Sequence, residues 1–151
     1  MNYHCMVNAF ALAMEIGEAE LVVRIGHDGL QNFPDTAIPR THHVQEMIDV
    51  GAELGCIFTP IELVPVSIVR DGDLVQYPLW FGKQDDLVAN FTRFKGHLKT
   101  GPGVILGSRL GSGHAVYWDG EKCIDKSGEF ELWGDGTDFE PGVFWRVLWI
   151  A

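Results

Sequence analysis

The chain has 151 residues, enough for one domain with a sizeable core, and 46% of them are hydrophobic; that composition is globular, not disordered. A formal net charge of −10, with the few Lys and Arg scattered, excludes the basic patches on which nucleic-acid and anionic-membrane binding rest. No apolar run approaches the roughly 18 residues of a membrane-spanning helix, so neither a nucleic acid nor a membrane is an expected partner.

In chain order, "CMVNAFALAMEI" (5–16) is apolar almost all round and rich in Ala, Met and Leu. That predicts a helix buried on most of its surface and ended by Gly17. The first residues carry no Lys or Arg ahead of this run and no small-residue cleavage site follows it, so a cytoplasmic location is expected. A short helix over 18–25 follows. Residues 26–41, "GHDGLQNFPDTAIPRT", carry loop punctuation. Thr41 is the expected cap of a helix through 42–55, whose Val44, Met47, Ile48, Ala52 and Leu54 recur at helical spacing. From Cys56 the pattern becomes β, broken by Pro60 and Pro65, with a turn at "RDGD". "KQDDLVANFTRFKGHLKTG" returns to helix, with Leu87, Phe91, Phe94 and Leu98 on one side and Gly101 and Pro102 as the stop. "GVILGSR" and "GVFWRVLWI" are strands. The whole, 1–151, predicts a single α+β domain in which N-terminal helices pack on a mostly antiparallel sheet.

The richest segment is "GSGHAVYWDGEKCID" (111–125). Asp-Gly between apolar and aromatic residues is a strong hairpin signal. With Asp119 and Gly120 alone at the turn, His114 directly faces Asp125. A four-residue turn, Asp119 to Lys122, shifts the register by two and leaves the pair diagonal on the same face. Either way an imidazole meets a carboxylate, which fixes its tautomer and favours its protonated form. A stabilising cross-strand pair without chemistry explains the same pattern. Cys5 adds a thiol in the first turn of a helix, where the dipole and free N–H groups favour the thiolate.

A helix-opening cysteine followed late in the chain by a strand-borne His and Asp resembles the papain-like cysteine peptidase superfamily. Its compact bacterial members, the double-glycine leader peptidases among them, are the nearest in pattern. "HCMVNAFALAME" and "LVANFTRFKGHLKTGPGVILGSRLGSGHAVYWDGEKCIDKSG" carry the resemblance, over residues 5 to 17 and 87 to 128. It implies a papain-like fold and a thiol hydrolase acting on a peptide or protein substrate without a cofactor. Cys5 would be nucleophile, His114 general base and acid, and Asp125 the residue orienting it. Three features depart from that pattern. The usual Gln about six residues before the cysteine has no counterpart, and Asn2 stands as the substitute oxyanion donor. Lys126 replaces a common Pro, and the interval from His114 to Asp125 is short.

Two other functions fit the same residues: acyl transfer to an amine, as in transglutaminase-like enzymes, and a binding module that has lost catalysis. His27, His42 and His43 lack metal-ligand spacing. Cys123, on the hairpin face of His114, is a rival nucleophile without a helix dipole. Cys56 reads as core. The cysteines at 5, 56 and 123 lack CxxC spacing and are expected as free thiols. Trp80, Phe81, Trp118 and Trp145 read as core or groove lining, and "GSRLGSG" as a flexible approach to His114.

Overall fold

The computed structural model describes residues 5–63, 67–70, 73–76, 87–134 and 136–150. Asn2, Trp80 and Phe81, the side chain of Leu87, Pro65 and the centre of the "RDGD" turn lie outside the described residues. Four helices are described: α1 (Cys5–Met14), α2 (Glu18–Ile25), α3 (Val44–Leu54) and α4 (Leu87–Leu98). The strands are β1 (Cys56–Glu62), β2 (Ser67–Arg70), β3 (Asp73–Gln76), β4 (Gly103–Arg109), β5 (Ser112–Trp118), β6 (Cys123–Asp125), β7 (Gly128–Phe130) and β8 (Phe139–Trp149). Six of them form one antiparallel sheet in the order β1-β8-β4-β5-β6-β7, and β2 pairs with β3 apart from it. The class is α+β, as expected. No described helix is long and apolar enough to cross a membrane.

Strand alternation sorts the core into two layers. Val104, Ala115 and Val147 face α1, which buries Val7, Phe10 and Met14 against them together with Leu21 of α2 and Met47 and Val50 of α3. Ile105, Val116, Trp118 and Phe144 point the other way, onto Phe94 and Leu98 of α4. Phe10, Phe94 and Phe144 are wholly buried; truncating any of them to Ala costs about 3–5 kcal/mol. Trp118 places its indole polar atom without loss, because Nε1 donates to the Leu98 carbonyl at 2.8 Å.

Several local expectations change. Helix α1 stops two residues early, where Glu15 turns left-handed with φ of 59°, and Gly17 opens α2 instead of closing α1. His43, not Thr41, caps α3: its Nδ1 accepts the Gln45 N–H at 3.0 Å, while Glu46 Oε1 accepts the His43 N–H at 2.8 Å. That reciprocal capping box satisfies donors a threonine at 41 is too far back to reach. Pro60 does not break β1; it sits within the strand opposite Trp145, at the border of the sheet where no ladder N–H is missed. "GSRLGSG" is no loose approach. Gly107 to Arg109 belong to β4, Ser112 and Gly113 to β5, and the turn between is Leu110–Gly111, both at positive φ. β8 bulges by one residue beside this hairpin: Leu106 pairs with Val143 and Gly107 with Pro141. Gly107 is required there, since a Cβ would collide with the Glu140 carbonyl oxygen.

Candidate functional site

The hairpin register comes from its turn. Asp119 Oδ1 accepts the N–H groups of Glu121 and Lys122 at 2.8 and 2.9 Å, and the Asp119 N–H donates to the Lys122 carbonyl at 3.1 Å. Although burial opposes it, those backbone donors and the Lys122 charge hold the Asp119 carboxyl below its ordinary value. Residues 119–122 therefore form the four-residue turn, Trp118 pairs with Cys123, and His114 lies diagonally from Asp125 on one face.

Asp125 is saturated. Its Oδ1 accepts the backbone N–H of Ser127 at 2.8 Å and the Ser127 hydroxyl at 2.6 Å. Its Oδ2 receives His114 Nε2 at 3.0 Å and Arg109 Nη1 at 2.9 Å. Burial works against the charge, but the Ser127, His114 and Arg109 donors outweigh it and bring the carboxyl down to about 2. An ionised carboxylate only accepts, so His114 carries its proton on Nε2. The contact of 3.2 Å between Arg109 Nη1 and His114 Nε2 is then two donors converging on one oxygen. Nδ1 keeps the lone pair, and among the described residues it makes no hydrogen bond.

Arg109 is the component that sequence reasoning missed. Besides Asp125 it donates through Nε to Asp138 Oδ1 at 2.9 Å, and its guanidinium lies 5.1 Å from the centre of the Phe130 ring. Nothing local in the sequence announces it, because both carboxylate partners come from distant elements. Ser127 did leave a signal: an Asp followed two residues later by Ser is the pattern of an Asx turn.

Cys5 is the first residue of α1 and half-buried. It lines a cavity of about 360 Å³ with Met6, Thr41, His42, Leu106 and His114, and with Gly29, Gly107, Gly113 and Ala115 filling the remainder of the wall. The structure thus brings Cys5 and His114 to one cavity and His114 and Asp125 into a hydrogen bond. It does not join thiol to imidazole, for no hydrogen bond links the Cys5 sulfur to His114 among the described residues. Alternation accounts for the gap. Ala115 packs in the α1 layer, whereas the His114 ring meets Phe139 edge-to-face at 5.9 Å in the α4 layer, with side-chain-free Gly107 and Gly113 beside it.

No family model, curated protein or solved structure matches this chain.

The other candidates fall into place by geometry. Cys123 is fully buried; burial first, then the Asp125 and Asp119 charges, push its thiol up to about 12. Burial also raises the Cys56 thiol. All three cysteines are free thiols. Trp118 belongs to the α4-side core, and Trp145, partly buried, packs against the α1-side core. His27, His42 and His43 bond to backbone and to Glu46, and no group of three or more potential metal ligands occurs among the described residues.

Proposed function

We propose that the protein is a small thiol hydrolase that cleaves a peptide, isopeptide or related amide bond at Cys5, with His114 and Asp125 as its partners. The observation that carries this reading is the cavity that Cys5 and His114 both line, combined with an imidazole whose Nε2 is taken up by Asp125 while Nδ1 has no hydrogen-bond partner among the described residues. In the first step the Cys5 sulfur adds to the substrate carbonyl and its proton passes to His114 Nδ1. Collapse of the tetrahedral adduct breaks the C–N bond; the departing amine takes that proton and a thioester remains. Water then adds to the thioester through His114, releasing the carboxylic acid and restoring the thiol. Catalytic hydrogen bonds often tighten only when substrate binds. Here the His114 ring lies in the α4 layer while Cys5 opens α1 in the other, so this reading requires the imidazole to swing past Gly107 and Gly113 to the thiol. The papain-like resemblance of residues 5–17 and 87–128 points the same way.

The test needs no substrate. Alkylation of Cys5 by iodoacetamide is followed from low to high pH, by peptide mass, in wild type and His114→Ala. A free cysteine titrates near ~8.5. Labelling that persists well into acid and is lost in His114→Ala supports the thiolate–imidazolium pair. Labelling that follows a free thiol and ignores His114 sinks it. The reading then left is a binding module without catalysis, which the missing thiol–imidazole hydrogen bond already favours.

A further inference from the structure

A second imidazole borders the cavity of Cys5. His42 Nε2 lies 3.0 Å from the carbonyl oxygen of His27. A carbonyl cannot donate, so the proton sits on Nε2 and Nδ1 is an acceptor. The carbonyl that anchors it is itself held in place. His27 Nδ1 accepts the Gly29 N–H at 3.1 Å, which leaves its Nε2–H to donate to Glu46 Oε2 at 2.6 Å. Burial opposes the charge on Glu46, yet the His43 backbone N–H and the His27 ring hold its carboxyl below its ordinary value. The rings of His27 and His42 lie 4.8 Å apart, so the anchored imidazole has a packed back.

Gly29 supplies the independent observation. Its φ is +77°, and a Cβ there would fall 2.9 Å from both Nδ1 and Cε1 of His42. Such a Cβ would lie over the face of the ring, so only glycine lets the chain close against the imidazole and hold it at the cavity that Gly29 and His42 both line. The rest of the wall is mostly apolar: Met6, Leu106 and Ala115. A fixed acceptor in a small apolar cavity beside a thiol suits an acyl residue with a small apolar side chain and one N–H to be recognised.

We propose that His42 reads the substrate, its Nδ1 accepting a hydrogen bond from the backbone N–H of a peptide whose small apolar residue sits beside Cys5. This rests on the thiol-hydrolase reading above and names the substrate class for it. His42 takes no part in proton transfer to the leaving group, which stays with His114.

The experiment compares two reagents on Cys5: N-acetyl-alanine chloromethyl ketone and its ester analogue, in which oxygen replaces the amide N–H. Each labelling rate is divided by the rate of the same reagent with glutathione, which removes intrinsic reactivity. Wild type is expected to favour the amide reagent by about three- to tenfold, the size of one net hydrogen bond. His42→Phe is expected to lose that preference, the two reagents then labelling at equal normalised rates. His42→Gln is expected to retain it, because one amide group can donate to the His27 carbonyl and accept from the ligand. Equal rates in wild type overturn the proposal without any variant, and so does a preference that His42→Phe leaves intact. Failure of the hydrolase reading looks different: iodoacetamide labelling indifferent to His114. A Cys5 that none of the three reagents labels overturns both.

Discussion

Replacing Asp125 by asparagine keeps the shape of the side chain and removes the charge on which four donors converge. In the folded protein that carboxyl is brought down from an ordinary 3.8 to about 2. At ~1.4 kcal/mol per pH unit, ionised Asp125 contributes about 2 kcal/mol at neutral pH. The sign follows from the direction: the folded value is the lower one, so the contribution is complete above the unfolded value and disappears as pH falls from about 4 to about 2. The amide adds a penalty, since its NH₂ and the His114 and Arg109 N–H groups cannot all find acceptors. Asp125→Asn should therefore lose about 2–3 kcal/mol at pH ~7, lowering the urea midpoint by about 1 M for a small domain. Urea unfolding followed by tryptophan fluorescence, repeated at falling pH, reads both parts. The gap between wild type and variant should close across the acid window, because only wild type has a carboxylate to protonate. A variant as stable as wild type near neutrality, or a gap unchanged at the acid end, would refute the account of Asp125 as the charged hub of the site.

Gly107→Ala should cost about 3 kcal/mol, because the added methyl meets the Glu140 carbonyl and parts β4 from β8 at the bulge; thermal melting at the wild-type temperature would show that the strands have room. Cys123, buried and with its thiol pushed up to about 12, should resist iodoacetamide in the folded protein and label readily in denaturant. Peptide mass mapping reads it, and a Cys123 that outpaces Cys5 in the native state would restore it as the nucleophile.

What could be read ahead of the structure depended on the range of the cause. The His114–Asp125 pair was legible because strand period is two: either turn length keeps both residues on one face, and the observed four-residue turn is one of the two foreseen. The buried character of α1 and the stripe of Phe94 and Leu98 were legible for a similar reason, as apolar pattern acts locally. Arg109 was not, since its partners Asp125 and Asp138 reach it only through strand pairing and the segment after β7. The start of α3 was misread because Thr41 is the better cap by residue type, whereas Glu46, three residues past His43, makes the box that wins. The histidines at 27 and 42 lack metal-ligand spacing, but that test was blind to their bonds to backbone carbonyl and N–H. Those bonds are what direct His42 to the cavity of Cys5.

Among the described residues, the two outermost strands of the sheet each discourage a visiting chain. On β1 the ring of Pro60 removes a donor from the outer row; on β7 three residues give a guest almost nothing to pair with. A peptide is therefore poorly served by lying alongside the sheet as an additional strand, the route by which many extended ligands are captured. Under the proposed thiol-hydrolase reading, affinity comes end-on, from a few groups gathered where α1 begins and the β4–β5 hairpin closes. Such a protein would recognise one or two residues of its ligand and stay indifferent to the sequence beyond them.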